Sequence, residues 1–168
     1  VAQSGASQGS SEPAQEPAEP GPDVAAVLRL FHQREGVPES ERPRFRVTAD
    51  AAEDAAPEQL YIYGRRLVIV GTRFMGGRSY ASIALAANEG DEVIGLRAAD
   101  ITDDGHVEAI VTIRRNVTVQ VQGAANTSQR DMVFAYSFEP SHRGRVFAAE
   151  IARRIGESAI LSSVVLPT

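Results

Sequence analysis

The stretch Val47-Thr-Ala-Asp50-Ala returns fifty residues later as Arg97-Ala-Ala-Asp100-Ile, and a third time as Phe147-Ala-Ala-Glu150-Ile. Self-similarity at a fixed period of this length marks a chain assembled from copies of one supersecondary unit. The first copy continues Asp50-Ala-Ala-Glu-Asp54-Ala-Ala-Pro-Glu58-Gln-Leu60, and the second Asp100-Ile-Thr102-Asp-Asp104-Gly105-His-Val-Glu108-Ala-Ile110. Acids coincide at the first, fifth and ninth positions of both. Each copy then enters an apolar run, Leu60-Tyr-Ile-Tyr or Ile110-Val-Thr-Ile, and Arg66–Val70 corresponds to Asn116–Val121. The third copy keeps the leading acid and a later apolar segment, and loses the other acids. Three motif starts therefore bracket two whole units.

The pattern inside each unit is β. Alternating or β-branched segments occur at Phe45–Thr48, Leu60–Tyr63, Leu67–Thr72, Tyr80–Leu85, Val93–Leu96, Ile110–Ile113, Val117–Val121 and Met132–Phe138. Turn-forming residues separate them, at Gly64-Arg65, Gly76-Gly77, Asn88-Glu89-Gly90 and Gly123. Short strands at this spacing predict a sandwich, barrel or propeller. Val146–Arg154 is ambiguous alone, because Phe147, Ile151 and Ile155 also fit one helical face. Its equivalents Val93–Asp100 and Phe45–Asp50 read as strands, so the repeat selects strand.

Ahead of the units lies a different kind of sequence. Residues 1–22 are rich in Ser, Gly and Gln and then in Pro and Glu, which predicts a disordered linker or tether. Its opening Val suggests a trimmed or processed chain. Asp23 is a good helix N-cap, and Val24, Val27, Leu28 and Phe31 recur at helical spacing until Gly36 and Pro38. This predicts an amphipathic helix over 23–35, docked on the β body. His32 is expected at the rim of its stripe.

Composition bounds the chemistry. The 17 basic residues are all Arg, and there is no Cys. Lysine Schiff bases, a P-loop lysine, thiol nucleophiles, disulfides and thiolate metal sites are excluded. Arg in place of Lys, with abundant Ala, fits a GC-rich bacterial genome. The net charge is −5, and Glu12, Glu16, Glu19 and Asp23 place four of the acids in the first 23 residues. The rest is nearly neutral, which argues against a nucleic-acid partner. No apolar run reaches the length of a membrane span.

The middle copy concentrates oxygen ligands. A hard cation such as Ca²⁺ takes six to eight oxygens. Side chains at the first, third and fifth positions of a tight loop can point inward together, here Asp100, Thr102 and Asp104. The backbone carbonyl of His106 completes the loop, and Glu108 closes it from the next strand. Gly105 permits the sharp turn. An EF-hand would need Glu at position twelve, where Val111 stands, and a helix after it. The same acids also suit a metal-free turn, since Asp-Asp-Gly is favoured in turns on its own account.

These residues resemble the FG-GAP/VCBS repeat family, whose D-x-D-x-D-G-x-x-D/E loops join strands of β-propeller blades. The resemblance is close over residues 97–113 and spans about 43–167. Thr102 stands where the family has Asp or Asn, and the Phe-Gly…Gly-Ala-Pro signature is missing. The resemblance implies a mainly-β fold of two propeller-blade-like antiparallel units, at about 43–99 and 100–149, with a closing strand near 158–167. It implies one Ca²⁺ held by Asp100, Thr102, Asp104, His106 and Glu108. The first copy, with Ala52 and Ala55 at ligand and turn positions, is expected to be metal-free.

The function expected is a non-catalytic module, extracytoplasmic or on the cell surface, with a protein or surface glycan as partner. No catalytic residue is assigned. The alternatives are an enzyme or accessory domain using the acidic turn as a catalytic metal site on polysaccharide or phosphoester, and a purely structural repeat domain. Asn116-Val-Thr118 and Asn126-Thr-Ser128 match a glycosylation triplet without weight. The pairs Arg65-Arg66, Arg114-Arg115 and Arg153-Arg154 are expected on solvated strand edges. Tyr61, Tyr63 and Tyr80 are expected in the core or at its rim rather than on a sugar-stacking face.

Overall fold

In a computed structural model the described residues are 22–52, 56–121, 123–140, 143–155, 158–160 and 164–165. The expected tail, 1–21 in particular, lies outside them. Helix α1 runs Pro22–Glu35. Strands β1 (Phe45–Ala49), β2 (Glu58–Tyr63), β3 (Arg66–Val70) and β4 (Ala81–Ala84) form a first antiparallel sheet in that order. Strands β5 (Glu92–Ala99), β6 (Glu108–Val121), β7 (Ala124–Ser137) and β8 (Gly144–Ile155) form the second. Two short strands, β9 (Ser158–Ile160) and β10 (Val164–Val165), pair with the far side of β8. The fold is mainly β, as the alternation predicts.

Strand alternation divides each sheet into two faces, and both faces of the first sheet are used. Leu60, Ile62, Leu67 and Ile69 point one way and meet Ala109, Val111, Ile113, Met132, Phe134 and Tyr136 of the second sheet. Tyr61, Tyr63, Val68 and Val70 point the other way and meet Val24, Val27 and Phe31 of α1. The molecule is thus three layers: helix, sheet, sheet. Phe31 is wholly buried, with ring centroids 5.2 Å from Tyr63 and 5.4 Å from Tyr80. His32 is buried rather than at a rim. It sits edge-on to Tyr63 at 5.0 Å, with Nδ1 3.2 Å from the Val37 carbonyl.

The helix ends as its sequence dictates. Gly36 takes φ +67°, and the Val37 amide donates to the His32 carbonyl at 3.0 Å, closing the last turn. Glu35 then ties the helix to the first sheet. It accepts from the Tyr80 and Ser82 hydroxyls at 3.2 and 3.3 Å and pairs with Arg66 at 3.0 Å.

The duplication is visible in the strand register. In the first hairpin Ala49 faces Glu58 and Val47 faces Leu60; in the second Ala99 faces Glu108 and Arg97 faces Ile110. Each of these pairs is its counterpart moved by fifty positions, so both hairpins share one register and one loop length.

The correspondence stops after residue 113. The first unit turns at Gly64-Arg65, whereas Glu108–Val121 is a single strand and the segments expected at 110–113 and 117–121 are parts of it. Glycine supplies the difference: Gly64 has φ +52°, and its counterpart Arg114 stays extended in the ladder. The third copy has no acidic loop either. β8 runs through Glu150 without a break, so the residues expected to be strand are strand.

Candidate functional site

The loop Asp100–Val107 joins β5 to β6, and its acids are occupied by its own backbone. Asp100 Oδ1 accepts the Asp103 amide at 2.7 Å, and Oδ2 accepts the Gly105 amide at 2.9 Å. Asp104 Oδ1 accepts the His106 amide at 2.9 Å. Glu108, buried at the start of β6, accepts the Ile101 amide at 2.9 Å and the Thr102 hydroxyl at 3.3 Å. The backbone accommodates this with two left-handed residues, Asp103 at φ +60° and Gly105 at φ +90°. Short Asp side chains satisfy amides two to five residues on, a standard way of stabilising a turn.

The electrostatics follow from these bonds. The His106 amide, with help from the Thr102 hydroxyl, holds the exposed Asp104 carboxyl below the usual carboxylate range. The His106 ring lies against Glu139, Nε2 to Oε1 3.7 Å. Asp100, Thr102, Asp104 and Glu108 are therefore brought into one connection, but their oxygens are turned onto N–H and O–H donors. Among the described residues no group of three or more His, Asp or Glu side chains could hold a metal ion. In this arrangement the loop's carboxylates serve first as acceptors for the loop's own donors.

The first hairpin repeats the key bond. Glu58, wholly buried, accepts the Ala51 amide through Oε2 at 2.8 Å, seven residues back as in the second copy. Acids at the ninth position are common to both copies because each ties its loop to the amide after the leading acid. In the third copy Glu150 is buried and receives Arg153 in two bonds of 2.7 and 3.0 Å, with Arg130 at 3.8 Å.

Each arginine pair has at least one member in an ion pair, Arg66 with Glu35 and Arg153 with Glu150 among them. Arg114 grips Asp131 with two bonds of 2.8 and 3.0 Å, and Arg115 bonds Asp91 at 2.9 Å and the Ala86 carbonyl. Arg115 thus fastens the β4–β5 connection to β6. Tyr136 does the same from the core, its hydroxyl accepting the Ala86 amide at 3.0 Å. An open groove of about 420 Å³ lies between the two sheets' connections and the helix end. Val37, Glu41, Tyr63, Arg65 and Leu85 line it. Gly64 and Arg65 continue it into a second depression beside Arg44 and Asp91.

No helix among the described residues is long and apolar enough to cross a membrane. Comparison with protein-family models, with curated proteins and with solved structures returns no match to this chain.

Proposed function

We propose that this chain is a non-catalytic interaction module held outside the cytoplasm, in which paired acidic loops brace two stacked hairpin units. The observation that carries this reading is the repeated bond from the ninth-position glutamate to the amide seven residues before it. An acid spent in the same way in both copies is a structural element of a scaffold. Burial reinforces it, because Glu58 and Glu108 are within a few per cent of fully enclosed. The open groove beside Arg65 is the concave surface such a module presents.

A Ca²⁺ at Asp100, Thr102, Asp104, His106 and Glu108 belongs to the same proposal as a separable part. Asp100 and Glu108 would share their oxygens between the ion and three backbone donors, and Thr102 supplies no charge, so a weak site suited to a compartment with millimolar calcium is expected. The test is a melting curve with and without millimolar CaCl₂, run on the wild type and on Asp104→Ala. Calcium at ten times its dissociation constant adds roughly 1.4 kcal/mol, or about 3–6 °C for a chain of this size. An upshift lost in Asp104→Ala supports the ion. No shift in either protein removes the ion and leaves a metal-free module.

A further inference from the structure

The second sheet is much longer than the first. Its central strands have 14 residues each, against 4–6 for the strands of the first sheet. The ends of β6 and β7 therefore run on as a two-stranded ribbon. β5 pairs with β6 no further than Arg114, and β8 pairs with β7 no further than Ser128. From Arg115 to Val121, β6 has β7 on one side and, among the described residues, no strand on the other.

A free strand edge is a template for another strand, and soluble proteins blunt such edges with charge, proline or bulges. Beyond Arg115, from Asn116 to Val121, none of these is present. Asn116 to Gln129 contains no charged residue and no proline, in a chain where 23% of residues are charged. The flanks are charged on both sides, Arg114-Arg115 and Arg130-Asp131, so neutrality is confined to the ribbon. The β6–β7 pairing across it is regular and continues without a bulge from Arg114↔Asp131 to Val121↔Ala124. Val117 is 40% exposed, on the face that continues the core row Val111 and Ile113 beyond the first sheet. Its neighbours Asn116 and Thr118 are exposed on the opposite face, where Gln129 donates to Asn116 at 3.3 Å.

We propose that the free edge of β6, residues 115–121, is a dimerisation strand whose occupant is the same edge of a second copy of this chain. Self-complementarity argues for that partner. In an antiparallel pairing about a two-fold axis at Thr118, Val117 falls opposite Val119 and Asn116 opposite Gln120. Val117 and Val119 then share one face, Asn116, Thr118 and Gln120 the other, and no charge opposes another within 116–120. The edge of β7 is the poorer partner, since among the described residues β8 leaves only four of its positions, 124–127, without a second neighbouring strand, against seven on β6. Like-with-like pairing is isologous and closes at two copies. It forms about six backbone hydrogen bonds and joins two sheets into one. The contact is at the small end of interface sizes, so the dimer forms with a dissociation constant on the order of micromolar to tens of micromolar. This inference is independent of whether the 100–108 loop takes calcium.

The absence of cysteine makes the test clean. Light scattering and sedimentation of the full chain over rising concentration are expected to show conversion from monomer to dimer. Thr118→Lys places two like charges at the axis. It is expected to yield monomer at every concentration, with a melting temperature of the dilute protein unchanged, because Thr118 is exposed. Thr118→Cys is expected to form an intermolecular disulfide under mild oxidation, since facing residues in an antiparallel pair lie within disulfide reach. Glu89→Cys, equally exposed in the β4–β5 connection, is expected to remain reduced. A wild type still monomeric at about 1 mM, where an association worth only about 4 kcal/mol would show, overturns the proposal. So does a dimer that survives Thr118→Lys, which would place the interface elsewhere.

Discussion

Glu108 offers the sharpest measure of what the acidic loop is for. Its carboxylate is 2% exposed and accepts the Ile101 amide at 2.9 Å and the Thr102 hydroxyl at 3.3 Å. Glu108→Ala removes the acceptor of an amide bond to a charged group, a loss of about 1.5–3 kcal/mol. For a chain of this length that lowers the melting temperature by roughly 3–12 °C. Glu108→Gln keeps the shape and an acceptor oxygen, so it should fall between the two. Glu58→Ala, at the equivalent position with no exposure and the same bond, should cost at least as much. The assay is thermal unfolding by circular dichroism or calorimetry in calcium-free buffer containing a chelator. Under those conditions a cation cannot contribute, so any loss belongs to the hydrogen bond. If Glu108→Ala melts within a degree of the wild type there, the bracing role is wrong.

Other outcomes follow from single contacts. Gly77→Ala should destabilise by more than about 2 kcal/mol, because a left-handed alanine costs about 1–2 kcal/mol and its Cβ would lie 2.4 Å from the Thr72 carbonyl oxygen. The adjacent Gly76→Ala, with φ +71° and open space around it, should lose only about 1 kcal/mol by the same melting assay. Phe31→Ala empties the centre of the helix–sheet layer at a cost of about 3–5 kcal/mol. Limited proteolysis should then cut first within Pro22–Glu35. Burial raises the phenols of Tyr61, Tyr63, Tyr80 and Tyr136, with Tyr63 pushed up to about 12. The unfolded chain ionises near 10, so the stability held by neutral Tyr63 is complete below about pH 10 and lost as pH rises towards 12, at about 1.4 kcal/mol per pH unit. Phenolate absorbance should therefore appear together with alkaline unfolding, and a full tyrosine titration near pH 10 in the folded protein would contradict it.

Much of this architecture was written in local pattern. The helix was legible because Val24, Val27, Leu28 and Phe31 keep a helical period and Gly36 ends it. Val146–Arg154 was legible only through its repeat equivalents, since its own spacing fits two structures. The merging of 110–113 with 117–121 was not legible, because Arg114-Arg115 occupies the position of the Gly64-Arg65 turn. What keeps those arginines in the ladder is tertiary: Asp131 and Asp91, 17 and 24 residues away in sequence. At the acidic loop the residues were legible and their orientation was not. Spacing places oxygens in one loop, but whether they face an ion or their own amides depends on φ at Asp103 and Gly105. His32 shows the same limit, since a rim position and a buried one differ only by the Tyr63 ring across the layer.

The two hairpins share a register yet offer opposite faces to the space between them. Leu60 and Ile62 of the first look into it, whereas in the second the residues looking in are Val111 and Ile113, counterparts of Tyr61 and Tyr63. The units are therefore stacked front to back, like coins with the same side up. Such an order has no intrinsic length. A further unit inserted between Ala84 and Glu92 would meet, on each side, the kind of face that its neighbours already accept. Helix α1 gives the order a beginning: it lies on the face of Tyr61 and Tyr63 where a preceding unit would otherwise sit. Growth by duplication is thus open in the interior of this chain and closed at its helical end, and the aromatic cluster around Phe31 is what closes it.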